Sequence, residues 1–503
     1  MPPQWGCILT RRYAVLAPDW QLRGYADVPA MLVDRRTGEA VPLSSTGSYV
    51  ARSCDGLMDF TSPCFLRSHV ATLDAMIARG MAVECERGTP LDPRQALRVA
   101  PNRRIGMLNW FVTGRCNQRC RHCYMDAPSA RYGELPTADM LRLIDQFEAA
   151  NVQRVNLTGG ECLLRADIWE LIAELTARRI AVHQVSTNGL LLDDAALARL
   201  RDLGVDPIVH LSFDGVGTHD GMRGLPGLED PALETISRTA AAGFRTAVSS
   251  SLDAGTRDGI LRTFELLADA GVHTWHVNAP MALGCFAGSS TALPPAESFA
   301  VCEHLLRVWL DAGRPFVLTL NGMFTGVPGG DGAGAGPAAT AAAGLEAVAE
   351  AGLEAEAGAA RTPESPDEPG RGFGRDGLHC AYLLAGTANV LPDATLMPCP
   401  KLIDTPVHAA MPSLLEVSLS EAWEDPALHA LLGLTKAEVL AHNPECAACP
   451  QYAECGSGCW AVAWAATGDR LGRDPEACET TKQGYRRRLA AVAAAPLSTI
   501  RGE

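Results

Sequence analysis

Residues 107–124 read MLNWFVTGRCNQRCRHCY. A strand-like run, Met107–Thr113, leads directly into three cysteines, Cys116, Cys120 and Cys123, spaced C-x3-C-x2-C. Three thiolates on one short loop can bind three of the four irons of a cubane cluster. The fourth iron is then open, and an open metal position is where chemistry happens. A zinc loop is the plainer alternative. It needs a fourth ligand, for which His122 is nearest.

Outward from this loop the chain alternates strand and helix. Strands are expected at Met107–Thr113, Val152–Leu157, Ala181–Ser186, Ile208–Phe213, Thr246–Ser251 and His273–Asn278, with helices such as Thr137–Ala149, Ile168–Arg178 and Asp193–Leu203 between them. Repeated βα units predict an α/β fold with a parallel sheet, open or barrel-like. Six units are fewer than the eight of a full TIM barrel. Polar and glycine segments end successive strands: Thr158-Gly159-Gly160-Glu161, Ser186-Thr187-Asn188-Gly189, and Ser212-Phe213-Asp214-Gly215. His219-Asp220-Gly221-Met222-Arg223-Gly224 follows the last. Each could be an ordinary turn. Four in order, counting the cysteine loop, mark one mouth of a βα barrel.

Composition narrows the function. The chain has 503 residues, a net charge of -15, a pI of about 5.3 and 17 cysteines. The acidic balance argues against a nucleic-acid binder. The N-terminus shows no signal-peptide core, and no run of about 20 uncharged apolar residues points to a membrane span. The expected location is therefore the cytoplasm, where clustered cysteines are more often metal ligands or catalytic groups than disulfides.

The flanks differ in composition. Residues 1–95 read as a small strand-then-helix module of winged-helix type. Strands are expected at Tyr13–Leu16, Ala30–Asp34, Ala40–Leu43 and Met81–Glu84. One helix runs from Ser45 through Cys54. A second spans Phe65–Arg79, with Leu66, Val70, Leu73 and Met76 on one face. Ten arginines face ten acidic residues here, so the module offers little attraction to phosphate. Residues 326–376 are rich in Gly, Ala, Pro and Glu and read as a flexible insertion, with a short helix near Gly344–Ala351. From Leu378 the chain becomes cysteine-dense. Cys380 and Cys399 precede Cys446-x2-Cys449-x5-Cys455-x3-Cys459, and Cys478 follows.

The first cysteine motif and the strand-end segments together resemble the radical S-adenosylmethionine (radical SAM) superfamily over roughly residues 104–310. That resemblance implies a partial (β/α)6 barrel over 104–320. It also implies a [4Fe–4S] cluster on Cys116, Cys120 and Cys123, with S-adenosylmethionine on the open iron. Gly159, Gly160 and Glu161 would line the methionyl amine. Ser212 and Arg223 would meet the carboxylate or ribose with Ser186 nearby, and Tyr124 would flank the adenine. Cys162 stands where proline is common and reads as a buried thiol. The second cysteine field, over 378–485, resembles the SPASM extension, whose C-x2-C-x5-C-x3-C core it matches in full. Ala394 departs from the expected glycine. This resemblance implies two auxiliary iron–sulfur clusters. Cys446, Cys449, Cys455 and Cys478 would hold one; Cys380, Cys399 and Cys459 would hold the other. The latter would have an open iron or a fourth ligand such as His379, Cys285 or Cys302. A zinc-only domain is the alternative.

The stretch VPAMLVDRRTGEAVPLSSTGSYVARSCDG, residues 28–56, resembles the PqqD-like peptide recognition element of ribosomal peptide maturases. It implies that a precursor's leader adds a strand near Ala40–Leu43; a purely structural cap is the alternative. These resemblances together imply an oxidative peptide maturase that forms a crosslink, foremost a cysteine thioether, with a flavodoxin or ferredoxin as reductant. A sulfatase-type protein maturase and a haem or quinone biosynthesis enzyme are the competing enzyme readings. A peptide-binding iron–sulfur electron carrier is the non-enzyme one. Among polar barrel residues, Asp214, His210, His276 and Asn278 are unranked candidates for proton transfer, with His210 and His276 read equally well as satisfied barrel histidines.

Overall fold

A computed structural model describes residues 11–280, 284–328, 379–380, 386–403 and 405–494. The insertion beyond residue 328, with its expected helix near Gly344–Ala351, lies outside the described residues.

The N-terminal module is built from β1 (Tyr13–Leu16), β2 (Trp20–Gly24), β3 (Met31–Asp34), β4 (Ala40–Pro42), β5 (Ala82–Cys85) and β6 (Arg98–Val99). One sheet has the order β4-β3-β2-β6, and β1 pairs antiparallel with β5. Helix Ser45–Ser53 starts where the Ser44 hydroxyl accepts the Gly47 amide at 3.0 Å, satisfying one of the otherwise unpaired first-turn donors. Helix Arg67–Ala78 buries Leu73 and Met76 against Leu16, Leu32 and Val50. Leu66, expected on that face, is instead the exposed residue preceding the helix.

Strand β2 was not expected from sequence because two of its five residues are polar. Both are buried. Gln21 Nε2 donates to the Arg179 carbonyl at 2.9 Å, and the Arg23 guanidinium donates to the carbonyls of Leu22 and Arg94. These groups are hydrogen-bonded, as buried polar groups must be. The Gln21 bond reaches out of the module and ties it down. The Tyr25 hydroxyl donates to the Asn151 carbonyl, and Asn151 Nδ2 donates to the carbonyls of Gly24 and Arg98.

The central sheet begins with β7 (Met107–Phe111), β8 (Arg154–Thr158), β9 (Ala181–Thr187), β10 (Ile208–Ser212), β11 (Thr246–Ser251) and β12 (Thr274–Asn278). The six expected strands are present, neighbours in chain order and all parallel. The sheet runs further than six strands. β13 (Val317–Leu320) extends it in parallel beside β12 and β14 (Phe324–Gly326) antiparallel beyond it. At the other edge β15 (Thr387–Val390) pairs parallel with β7, and β16 (Leu396–Met397) closes a hairpin on it. The cysteine-dense region thus contributes strands to the same sheet. Asn151, Gln153 and Arg179, which seat the N-terminal module, stand just before β8 and β9. The module therefore caps the N-terminal ends of the strands, opposite the cysteine loop.

Helices such as Thr137–Ala149 and Ile168–Ala177 cover one face of the sheet through Leu143, Phe147, Leu171 and Leu175. Facing them, Leu108, Val155, Val209, Val248 and Trp275 are fully buried. The alternate positions on the opposite face, Asn109, Asn156, His210, Ser249 and His276 among them, stay partly accessible. Period-two alternation thus separates an apolar helix-covered face from an open polar lumen. This inverts the packed apolar interior of a complete TIM barrel.

The cysteine-dense region is mostly short helices, the longest being Tyr485–Ala494. The Tyr485 ring stacks on Phe299 of helix Pro295–Asp311 at 4.4 Å between centroids. Among the described residues, no helix is long and apolar enough to cross a membrane.

Candidate active site

The cysteine loop leaves β7 and is fixed by backbone contact with the end of β8. The Gly160 amide donates to the Thr113 carbonyl and the Glu161 amide to the Arg115 carbonyl, both at 2.8 Å. Glycine is required for this approach. A Cβ at Gly160 would stand 2.1 Å from the Arg115 carbonyl oxygen. Gly159, at φ +136°, would place one 2.5 Å from the Thr113 oxygen. The two glycines therefore have a steric reason to be there: they seat the loop that carries the thiols.

Glu161 is fully buried. Its carboxylate accepts the Asn188 amide and the Thr187 hydroxyl at 2.7 Å and the Leu163 amide at 3.1 Å. Burial pushes its carboxyl above the usual range, against those hydrogen bonds. Both oxygens are engaged within the protein, so the side chain ties the end of β8 to the end of β9. Asn188, which the sequence marked only as part of a turn, donates to Asn117 Oδ1 at 2.7 Å and lies 4.0 Å from Cys116 Sγ. Cys162 is buried as expected, its thiol donating to the Ser186 carbonyl at 3.3 Å.

Helix His219–Arg223 straps the loop from the β10 side. The Arg119 and Arg121 amides donate to the carbonyls of Arg223 and Met222. The Arg223 guanidinium, buried, lies 3.5 Å from Cys120 Sγ and forms an ion pair with Asp214 at 2.7 Å. Burial would raise the Asp214 carboxyl, but Arg223 beside it holds it below the usual value. Arg223 therefore meets the cysteine loop itself. Ser186 accepts from Gln184 Nε2 at 2.8 Å, and Ser212 stands in register with Ser249, both part-accessible to the lumen. Tyr124 follows Cys123 directly, its ring edge-on to Phe111. His122, the expected zinc ligand of the alternative reading, has a buried Nδ1 with no partner among the described residues.

In the cysteine-dense region, Cys446, Cys449, Cys455 and Cys478 line one small cavity together with Tyr452, Ser457 and Thr481. Burial pushes the Cys399 thiol up to about 12, and Cys459 and Cys380 lie close enough to add to that shift. Lys401 Nζ reaches to 4.0 Å from Cys459. The sequence expected auxiliary-cluster ligands in these two sets of cysteines. Of the three fourth-ligand candidates, His379 packs beside Gly458, next to Cys459. Cys285 instead lies by the first loop, its amide donating to the Cys123 carbonyl and its thiol to Asp126. Cys302 is buried in helix Pro295–Asp311. Among the described residues no three His, Cys, Asp or Glu side chains converge as ligands of one ion. A cubane asks for a wider spacing, since each thiolate binds a different iron.

Residues 110–282 match the family model of the radical SAM superfamily, and these residues form a radical SAM domain. The chain is 34% identical over 233 residues to the mycofactocin maturase MftC of Mycobacterium ulcerans, covering 46% of this chain and 61% of that protein. It is 28% identical over 208 residues to the AdoMet-dependent heme synthase of Nitratidesulfovibrio vulgaris, covering 41% and 55%. The chain thus spans about half the length of the curated relatives it matches. Among solved structures, SuiB of Streptococcus suis bound to S-adenosylmethionine aligns with a TM-score of 0.60 at 12% identity, covering 92% of this chain and all of that one. anSMEcpe with bound AdoMet and a peptide aligns with a TM-score of 0.51 at 15% identity, covering 77% and 98%. These likenesses show that the chain shares the fold of those structures over most of its length.

Proposed function

We propose that this protein is a radical SAM enzyme that oxidises a ribosomally made precursor peptide, forming a crosslink, foremost a cysteine thioether. One observation carries the reading: three thiols, strapped down by Gly160, Asn188 and Arg223, stand at the mouth of an open polar lumen. A cluster on Cys116, Cys120 and Cys123, with S-adenosylmethionine bound, would supply a primary carbon radical able to take hydrogen from an unactivated C–H bond. The residues of this chain then bind and orient. The backbone of Gly159 and Gly160 lines the loop, Ser186 and Ser212 present hydroxyls to the lumen, and Tyr124 offers a ring beside Cys123. The four-cysteine cavity and the Cys380–Cys399–Cys459 group would hold auxiliary iron–sulfur clusters, as in a SPASM extension. A flavodoxin or ferredoxin would supply electrons.

Peptide as substrate is supported by three features. Strand β4 is an edge of its sheet, as a PqqD-like element needs for strand addition. SuiB, whose fold this chain shares, has been solved bound to precursor peptide SuiA. The likeness to a mycofactocin maturase points the same way. The heme synthase likeness favours a second reading, oxidation of a tetrapyrrole.

The deciding experiment is anaerobic co-expression with a short cysteine-containing reading frame neighbouring the gene. A mass loss equal to two hydrogens, with loss of an alkylatable thiol, is expected. An unmodified peptide alongside a consumed iron-porphyrin would establish the tetrapyrrole reading instead.

A further inference from the structure

The lumen holds two histidines whose surroundings differ. On β10, His210 has both ring nitrogens engaged: Nδ1 lies 3.0 Å from Gln184 Nε2, and Nε2 lies 2.6 Å from Ser249 Oγ. It is a satisfied structural residue. On β12, His276 lies with its ring centroid 5.5 Å from that of His210 and has no hydrogen-bond partner among the described residues. Asp214 is spent on Arg223 and on the Ser251 amide. Asn278 has no titratable proton.

We propose that His276 is the proton acceptor for the peptide as it is oxidised. This rests on the peptide-oxidation reading above. The imidazole is part-accessible from the lumen, two strands from Ser212 of β10 and level with Ser249 of β11. For thioether formation the balance is as follows. The substrate C–H hydrogen leaves as an atom to the 5′-deoxyadenosyl radical. The carbon–sulfur bond forms from the substrate thiol, whose proton passes to His276. The remaining electron leaves to an oxidised iron–sulfur cluster.

A base must be neutral to serve. Burial holds His276 below the ordinary imidazole value. The groups facing it are His210 from β10, Ser249 from β11 and Thr319 from β13. Of these only His210 titrates, and burial pushes that ring down to about 3. His276 is therefore deprotonated at neutral pH, with no carboxylate among the described residues beside it to raise it.

The test compares wild type with His276→Gln and His276→Asn, each reconstituted with iron and S-adenosylmethionine and given deuterated precursor peptide. Iron content and the cluster absorption spectrum first establish that the variants are folded. Product per 5′-deoxyadenosine is expected to fall by about 100-fold. The acid limb of the wild-type pH–rate profile should disappear in both variants. In histidine-labelled protein, one ring resonance titrating below the ordinary imidazole value should vanish with the substitution and shift when peptide binds to wild type. An unchanged product ratio in His276→Gln would overturn the proposal, and so would an equal loss of deuterium transfer and product. Wild type that takes no deuterium from any peptide would sink the functional reading itself, and this assignment with it.

Discussion

Arg223 Nε lies 2.7 Å from Asp214 Oδ2, with Cys120 Sγ 3.5 Å from the same guanidinium. An ion pair removed from water is costly to break, because the surviving charge has no solvent to stabilise it. Asp214→Asn should destabilise the protein by about 3 kcal/mol or more, read by denaturant unfolding. The cysteine loop should also lose iron before the C-terminal region does. Retained iron on the first loop at wild-type stability would contradict this role.

Gly160→Ala tests the close approach of β8 to the cysteine loop. The added methyl would run into the Arg115 carbonyl, with Cys116 Cβ 3.2 Å away beside it. Relief requires the loop to shift, at a cost of about 1–3 kcal/mol. Cluster occupancy on Cys116, Cys120 and Cys123 should drop and 5′-deoxyadenosine formation with it. Gly80, whose added Cβ would meet nothing within 4 Å, supplies a control, although its φ of +67° brings backbone strain of its own.

The two cysteine fields should separate on substitution. Cys116→Ala is expected to abolish S-adenosylmethionine cleavage while leaving most of the iron bound. Cys455→Ala should remove iron from the four-cysteine cavity and leave the first loop loaded. Mössbauer spectra and iron analysis of the two variants measure the division.

Stability should fall in acid. Burial holds the rings of His210, His183 and His219 at about 3, 4 and 4. With folded values depressed, the unfolded chain binds protons first as pH drops below 6.5. Stability is complete above 6.5 and declines as pH falls through the window down to about 3. His210→Gln should flatten part of that decline in urea titrations across the window. An unchanged slope would show that His210 does not carry it.

How much of this could be read in the sequence follows from what kind of signal each feature leaves. The strands β7–β12 were legible because apolar residues at alternate positions face the helices. The strand-end glycines marked the mouth because close approach admits nothing larger. Strand β2 was hidden because Gln21 and Arg23 are buried polar residues whose partners, Arg179 and Arg94, are distant in sequence. Strand β15 was hidden for a related reason: its parallel partner β7 lies some 280 residues earlier, as the pair Asn109–Asn389 shows. The superfamily pattern is silent on which partner each side chain takes, so the engagement of Glu161 with Asn188, and of Arg223 with Cys120, came only with the fold.

The pairing of β15 with β7 changes what the long connection between β14 and β15 is for. Strands on either side of it are held by ladder hydrogen bonds to the same sheet, and Tyr485 from beyond it stacks on Phe299 from before it. The two halves of the polypeptide thus recognise each other through surfaces rather than through the peptide bonds that join them. Severing the backbone there would leave two fragments with complementary edges, a natural split point for assembling the protein from separate pieces.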